Sequence, residues 1–427
     1  MSSGGRVAAK TASEKILSAK SRTDAVAGDI VVCDVDLVLG TDASAPMAID
    51  YFRRMGGDRL FDPSRVLFSL DHYSPPTSPS TIGFHAAVRH FAARYGATVL
   101  DVGDGISHQV AAERGLVRPG ELVVGADSHT VTCGALGAFA IGVGSSELAA
   151  AMITGQIWLR VPETIAVVLH GTPALGVTAK DAALALVAKL GADGANYMTL
   201  EFRGPGLGAL SVDDRFVFSN LAVEGGAKAA IWPVDDVTDE YLRDRAMSRG
   251  VPVASDPGAP IAREVTLDLA GLTPRVAVPH SPNHVVALDT VAGTPIQMVF
   301  LGTCTGGRVS DFHDALAVLE RAGGRLAPGV ILVATPASRE VHDQLTADGT
   351  LARLADMGAV VTTAGCGACC GTSGVIPSDG MNVLSTANRN FKARMGNATA
   401  SIYLGSPAAC ALAAATGQIA DPRGATG

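Results

Sequence analysis

The 427-residue chain is too long for one ordinary domain core, which predicts two or three. A formal net charge of −8 with no Lys/Arg run excludes the phosphate-binding footprint of a nucleic-acid protein. Although 48% of the residues are hydrophobic, the apolar stretches are short and broken by Gly, Pro or charge, so no bilayer-spanning helix is expected.

Met1 to Lys20 alternates small, polar and charged residues and lacks the apolar block of a signal peptide, which predicts a cytoplasmic protein. Thr11-Ala-Ser-Glu14 reads as a capping box opening a short helix. From about Gly28 to Arg263, short β-branched runs alternate with Ala-rich helical stretches. Arg65-Val-Leu-Phe-Ser-Leu70, Ala97-Thr-Val-Leu-Asp101, Glu121-Leu-Val-Val-Gly125 and Thr164 to His170 are each apolar and followed by a turn signal, as buried parallel strands of an α/β fold are. In such folds, sites gather at the carboxyl ends of strands, and Asp71-His72, His108 and Asp127-Ser-His129 all sit just after such a run. Gly134 to Gly144 fails the dinucleotide pattern because Glu147 occupies the third glycine position; its expected role is close packing of a helix behind the Asp127-Ser-His129 turn. No nucleotide cofactor is expected.

Residues 251–295 are rich in Pro and polar breaks and read as the passage to another domain. The expected division is 1–285, tandem α/β domains carrying the His/Asp/Glu residues, and 286–427, an α/β domain carrying the cysteines and arginines. In the latter, Ile296 to Leu301, Gly329 to Ala334 and Ala359 to Ala364 are three more buried-strand candidates. Cys304 follows the first and Cys366 the third, which places two cysteine turns at one edge of one sheet. The last helix starts at Ser406 as N-cap with Pro407 at its first position.

Seven cysteines, an odd count with no export signal, argue for thiols or metal ligands over a disulfide framework. Cys304 plus the C-x-x-C of Cys366 and Cys369 gives three sulfur ligands, and a four-iron cluster held by three leaves one iron open as a Lewis acid. Asn388-Arg-Asn-Phe-Lys-Ala-Arg394 adds two guanidiniums suited to bidentate carboxylate binding. Two other readings compete. A structural zinc needs a fourth ligand, and the adjacent Cys369 and Cys370 would have to fold sharply to share one ion; a thioredoxin-like dithiol leaves Cys304 and the arginines unexplained. Cys33, Cys133, Cys370 and Cys410 are read as buried, inert thiols.

These segments resemble the aconitase superfamily and, within it, the large subunits of the 3-isopropylmalate dehydratases. The resemblance runs over nearly the whole chain, through Leu70-Asp-His72, Gly105-Ile-Ser-His-Gln109, Val124-Gly-Ala-Asp-Ser-His-Thr130, Lys189-Leu-Gly-Ala-Asp-Gly-Ala195 and both cysteine segments. It implies three-layer α/β/α domains around a [4Fe-4S] cluster on Cys304, Cys366 and Cys369, without the swivel domain that single-chain aconitases carry. It further implies a hydro-lyase acting on a hydroxy di- or tricarboxylate, with the swivel supplied by a separate small subunit in a heterodimer. By the same resemblance, the catalytic pairs are His72 with Asp71, His108 with Asp127, and His129 with Glu224. Ser128, Asn388, Arg389 and Arg394 bind substrate, Asn388 from the cluster side. The family's catalytic base is a serine on the swivel, to which no segment here corresponds, so the isolated chain is expected to be nearly inactive.

Three departures from the family stand out: Gly306 where an asparagine is usual after the first ligand, Thr41-Asp-Ala-Ser44 in place of His-Asp-Val-Thr, and Cys370 after the C-x-x-C. They leave the substrate open among 3-isopropylmalate in leucine biosynthesis, 2,3-dimethylmalate and the homoaconitase substrates. A cluster-sensing RNA-binding regulator, known among aconitase relatives, is the remote alternative, and the acidic balance counts against it.

Overall fold

The computed structural model describes residues 8–245 and 247–425. Its framework is three mostly parallel sheets. The first has the strand order Thr98–Leu100, Val66–Ser69, Leu37–Thr41, Leu122–Gly125, Phe139–Gly142, all parallel. The second runs Ala229–Ile231, Thr199–Arg203, Thr164–His170, Arg263–Asp268, also parallel. The third has seven strands, in the order Val285–Ala287, Arg275–Ala277, Ser401–Leu404, Asn382–Ser385, Met298–Gly302, Ile331–Thr335, Val360–Val361. A two-stranded antiparallel ribbon, Ile30–Asp34 with Gln156–Arg160, stands beside the first sheet.

The central strands are buried at every residue, as Leu37–Thr41, Val66–Ser69, Leu122–Gly125 and Met298–Gly302 show. Both faces of each sheet therefore need apolar side chains, which is why these segments read as unbroken hydrophobic runs. Helices supply the outer layers: Ala45–Arg54 packs with Ser145–Thr154 beside the first sheet, and Val309–Arg321 with Pro407–Thr416 beside the third. One hydrophobic core joins all three sheets, through Leu39 and Val123, Leu169 and Phe202, and Phe300 and Val383. The capping box expected at Thr11 forms, with Glu14 Oε2 accepting from Thr11 N at 2.8 Å, and Ser406 caps Pro407–Thr416 through Ala409 N at 3.3 Å.

The passage expected over 251–295 is more ordered than its composition indicates. Arg263–Asp268 completes the second sheet beside Thr164–His170, while Arg275–Ala277 and Val285–Ala287 already belong to the third. Sheet membership thus changes between residues 268 and 275, ahead of the expected division at 285. Neither short strand contains proline: Pro274, Pro279 and Pro282 lie in the connections that bound them, where no ladder N–H is needed. No helix among the described residues is long and apolar enough to cross a membrane.

Candidate active site

Every element that carries a candidate residue ends at one place. Asp71 and His72 follow the strand Val66–Ser69, and His108 lies in the first turn of the helix Ser107–Glu113. Asp127 caps the 3-10 segment Ser128–Leu136 after the strand Leu122–Gly125, its Oδ1 accepting from His129 N at 2.7 Å. Cys304 follows Met298–Gly302, Cys366 precedes the turn Gly367–Cys370 and Cys369 lies within it, and Asn388 follows Asn382–Ser385. A narrow cavity at these carboxyl ends is lined by Cys304, Cys366, Cys369, His72, His108, Asp127, His129, Asn388 and Arg394. Meeting there is a property of parallel sheets, whose strands all end on one side.

The turn at Asp127 needs three glycines. A Cβ on Gly125 would lie 2.2 Å from Thr130 Oγ1, one on Gly134 1.8 Å from the carbonyl oxygen of Ala230, and one on Gly142 2.8 Å from Ser128 Cα. The glycine-rich stretch therefore lets the His129 segment press against the strand Ala229–Ile231, which is the packing role expected of it.

Cys304 and Cys369 are buried with N–H donors at their sulfurs, and Cys366 is half-buried. Asn220 Nδ2 lies 3.0 Å and Asn388 Nδ2 3.4 Å from Cys304 Sγ, and an Arg394 terminal nitrogen lies 3.5 Å from Cys369 Sγ. Burial pushes the Cys304 thiol up to about 12, with Cys369 adding to it, and burial raises Cys366 well above the ordinary thiol range. Burial thus favours the thiol at Cys304 and Cys366, whereas donors aimed at a sulfur favour thiolate, the form that binds metal. Three sulfurs from two distant turns, two of them buried with amide or guanidinium donors directed at them, fit an iron–sulfur cluster. Asp71, His72 and Cys366 bring metal-binding atoms within 4.8 Å of one another, with His72 Nδ1 3.8 Å from Cys366 Sγ.

Two of the three expected acid–base pairs are hydrogen-bonded. His72 Nδ1 and Asp71 Oδ1 are 2.7 Å apart, and Asp71 Oδ2 accepts from Ser107 N at 2.8 Å. Burial pulls the His72 imidazole down, but Cys366 and Asp71 beside it outweigh that and hold it well above the ordinary histidine range. His129 Nε2 lies 2.9 Å from Glu224 Oε1, and although burial favours the neutral acid, His129 and Arg389 keep Glu224 below its ordinary value.

The third expected pair does not form: both ring nitrogens of His108 lack a hydrogen-bond partner among the described residues. Asp127 instead uses Oδ1 to cap its own turn, and its Oδ2 lies 3.7 Å from His72 Nε2. Burial lowers His108 to about 4, so it lines the cavity as a neutral imidazole. Burial alone would raise Asp127, yet its hydrogen bond with His129 and the neighbouring histidines hold it well below the carboxylate range.

Arg389 donates Nε to Glu224 Oε1 at 2.8 Å, and its two terminal nitrogens make no hydrogen bond among the described residues. Arg394 is half-buried, with its Nε buried and unpartnered among the described residues. Asn388 sits on the cysteine side, 3.1 Å from Asn220 Oδ1. Ser128 is not in the cavity; it lines an adjoining pocket with Gly142, Glu147 and Lys228. Cys370, expected to be inert and buried, is half-exposed and lines the cavity, 2.8 Å from Thr372 Oγ1. Gly306 points away from the cysteines: a Cβ there would lie 2.3 Å from Thr386 Cβ.

Sequence reasoning assigned nothing to Asn220, Asp42 or Lys180. Asn220 stands four residues before Glu224, a spacing that puts both at the same end of the helix Val212–Ala222, and this was the available signal. Asp42 is fully buried and accepts from His72 N and Tyr73 N, each at 3.0 Å, and pairs with His85 Nε2 at 2.9 Å, so it fixes the turn that carries His72.

The family model described as "Aconitase family (aconitate hydratase)" matches residues 14–295 and 289–417. The chain belongs to the aconitase family. It is similar to the 3-isopropylmalate dehydratase large subunit 1 of Methanopyrus kandleri, 44% identical with 97% of this chain and 99% of that one covered. It is similar to the large subunit 1 of Thermotoga maritima at 43% identity, with 97% and 99% covered, and to the Syntrophus aciditrophicus large subunit at 40%, with 96% and 98% covered. Among solved structures, aconitase X of Thermococcus kodakaraensis in its holo-form has the same fold, with TM-score 0.53 over 89% of each chain at 14% identity. Family membership accounts for the α/β architecture and for the cysteine pattern at the strand ends; aconitase-family proteins bind iron–sulfur clusters.

Proposed function

We propose that the chain is the large, cluster-binding subunit of a hydro-lyase that dehydrates and rehydrates a substituted malate, with 3-isopropylmalate the first substrate to try. The observation that carries this reading is the meeting of Cys304, Cys366 and Cys369, at the carboxyl ends of the third sheet, with hydrogen-bonded Asp–His and Glu–His pairs beside the first sheet and a Glu224-anchored arginine. Cys304, Cys366 and Cys369 would hold a [4Fe-4S] cluster, which when bound supplies a Lewis-acidic iron for the hydroxyl and a carboxylate of the substrate.

The chain's own groups divide the remaining work. His72, protonated and oriented by Asp71, holds a proton at the cavity wall for the departing hydroxyl. Glu224 fixes the Arg389 guanidinium by Nε, so the two terminal nitrogens form a preset fork for a substrate carboxylate. Arg394 brings a second positive charge beside Cys369. His108 stays neutral and serves as a donor or acceptor without adding charge.

The group that removes the C–H proton is assigned to a small subunit bearing the swivel domain; the large-subunit relatives support this, since their name implies such a partner. The test is anaerobic purification of the chain alone and with its small subunit, with iron and sulfide analysis and ultraviolet absorbance of the unsaturated acid formed from 3-isopropylmalate, 2,3-dimethylmalate or homocitrate. Iron and sulfide at about four per chain with turnover only in the pair supports the reading. Zinc without sulfide, or a clustered pair inert on every malate, contradicts it.

A further inference from the structure

Lys180 lies in the helix Ala179–Leu190 and is 2% exposed. Its ammonium donates to Thr305 Oγ1 at 3.0 Å, the Thr386 carbonyl at 2.8 Å and the Ala387 carbonyl at 2.7 Å, which uses all three N–H groups on uncharged oxygens. The nearest acids are engaged elsewhere. Asp181 accepts from Thr178 N and Oγ1 and from Arg275 N, and Asp311 accepts from Arg308 N. A buried ammonium bonded only to uncharged oxygens is costly; Asp181 and Asp311 offset its charge without touching it.

The three acceptors lie on the turns that carry the Cys304 site. Thr305 follows Cys304, and Ala387 precedes Asn388, whose Nδ2 lies 3.4 Å from Cys304 Sγ. Lys180 therefore ties together the two turns that flank the Cys304 sulfur, one layer behind it. Burial lowers the ammonium to about 8, opposed by Cys304, Cys410, Asp311 and Cys369. Of these sulfurs, Cys410 is a buried thiol pushed far up by burial and remains neutral.

We propose that Lys180 is the buried counter-cation of the iron–sulfur site, a positioning residue whose charge resists oxidative loss of the iron that carries no cysteine. This rests on the cofactor reading above. A one-electron oxidant such as ferricyanide takes one electron while [4Fe-4S]2+ becomes [3Fe-4S]+ and releases Fe2+, ferricyanide being reduced to ferrocyanide. A fixed positive charge behind the thiolates opposes removal of that electron.

The test uses the anaerobically reconstituted full chain, wild type, Lys180→Gln and Lys180→Arg, with ferricyanide oxidation followed by the electron paramagnetic resonance signal of the three-iron cluster. Gln keeps amide donors and drops the charge; Arg keeps the charge. The expected result is a roughly tenfold shift in the oxidation equilibrium for Lys180→Gln, equivalent to about 59 mV for one electron, with faster iron release and a wild-type response for Lys180→Arg. Equal oxidation of Lys180→Gln and wild type at equal cluster content overturns the proposal, as does an Arg variant that behaves like the Gln variant. Should Lys180→Gln hold no cluster, Lys180→Arg decides: a wild-type oxidation rate supports the role of charge, and faster release overturns it. A wild-type chain that takes up no iron and sulfide is a separate failure, of the cofactor reading itself, and is seen before any variant is compared.

Discussion

Arg389 Nε lies 2.8 Å from Glu224 Oε1, the same oxygen that faces His129 Nε2 at 2.9 Å. One carboxylate oxygen thus orients Arg389 and a histidine of the cavity together. Neither can be moved without disturbing the other, and this coupling makes the site separable from a chance gathering of charges.

Glu224→Gln keeps the shape and removes the charge. Arg389 and His129 then lose their shared partner, and the active pair should drop about 100-fold or more in kcat/KM. Arg389→Lys, with no fork to offer, should act chiefly on KM, raising it roughly tenfold or more, as expected for a lost charge-assisted bond of about 1.5–3 kcal/mol. Steady-state kinetics on both variants checks the split; equal effects on kcat and KM from Arg389→Lys would argue against a binding role.

His108 gives the protein a pH-dependent stability. Its folded-state pKa of about 4 lies below the ordinary value of 6.5, so the folded protein binds fewer protons than the unfolded chain between them. The stability contributed is full above about pH 6.5 and is lost as pH falls toward 4, roughly 3 kcal/mol in all and about 2 kcal/mol of it between pH 7 and 5. Denaturant unfolding of the wild type and His108→Gln at pH 7 and 5 measures this. The variant should lose that share of the pH dependence, and an unchanged slope would refute the assignment.

Two Gly→Ala substitutions should differ in sign. At Gly134 the new methyl would lie 1.8 Å from the Ala230 carbonyl oxygen, and the Asp127–His129 turn would be forced off its strand, so Gly134→Ala should destabilise by several kcal/mol. At Gly83, inside the helix Pro79–Tyr95, nothing lies within 4 Å, and Gly83→Ala should stabilise by roughly 0.5–1 kcal/mol. Thermal melts of the two variants give the comparison directly.

The parts of this molecule that depend on local pattern were readable in advance. Strands such as Val66–Ser69 and Met298–Gly302 announce themselves because burial on both faces demands continuous apolar residues, and their carboxyl ends locate the cavity. Partners set by tertiary approach were not. Asp127 was expected to serve His108, but hydrogen bonds within its own turn took Oδ1, and no spacing in the chain reports that choice. Lys180 lies 125 residues from Thr305, and Asn220 84 from Cys304, so neither contact leaves a local trace. The short strands Arg275–Ala277 and Val285–Ala287 were hidden because the prolines of the turns around them dominate the local composition.

Replacing Cys304, Cys366 and Cys369 singly with Ser, beside Cys133→Ser and Cys410→Ser as buried controls, tests the central claim most directly, with iron and acid-labile sulfide measured on anaerobically reconstituted protein. The account predicts about four irons and four sulfides per wild-type chain, retention in both controls, and loss of the cluster in each of the three site variants. Retention of a full cluster without Cys304, or zinc without sulfide in the wild type, would contradict it.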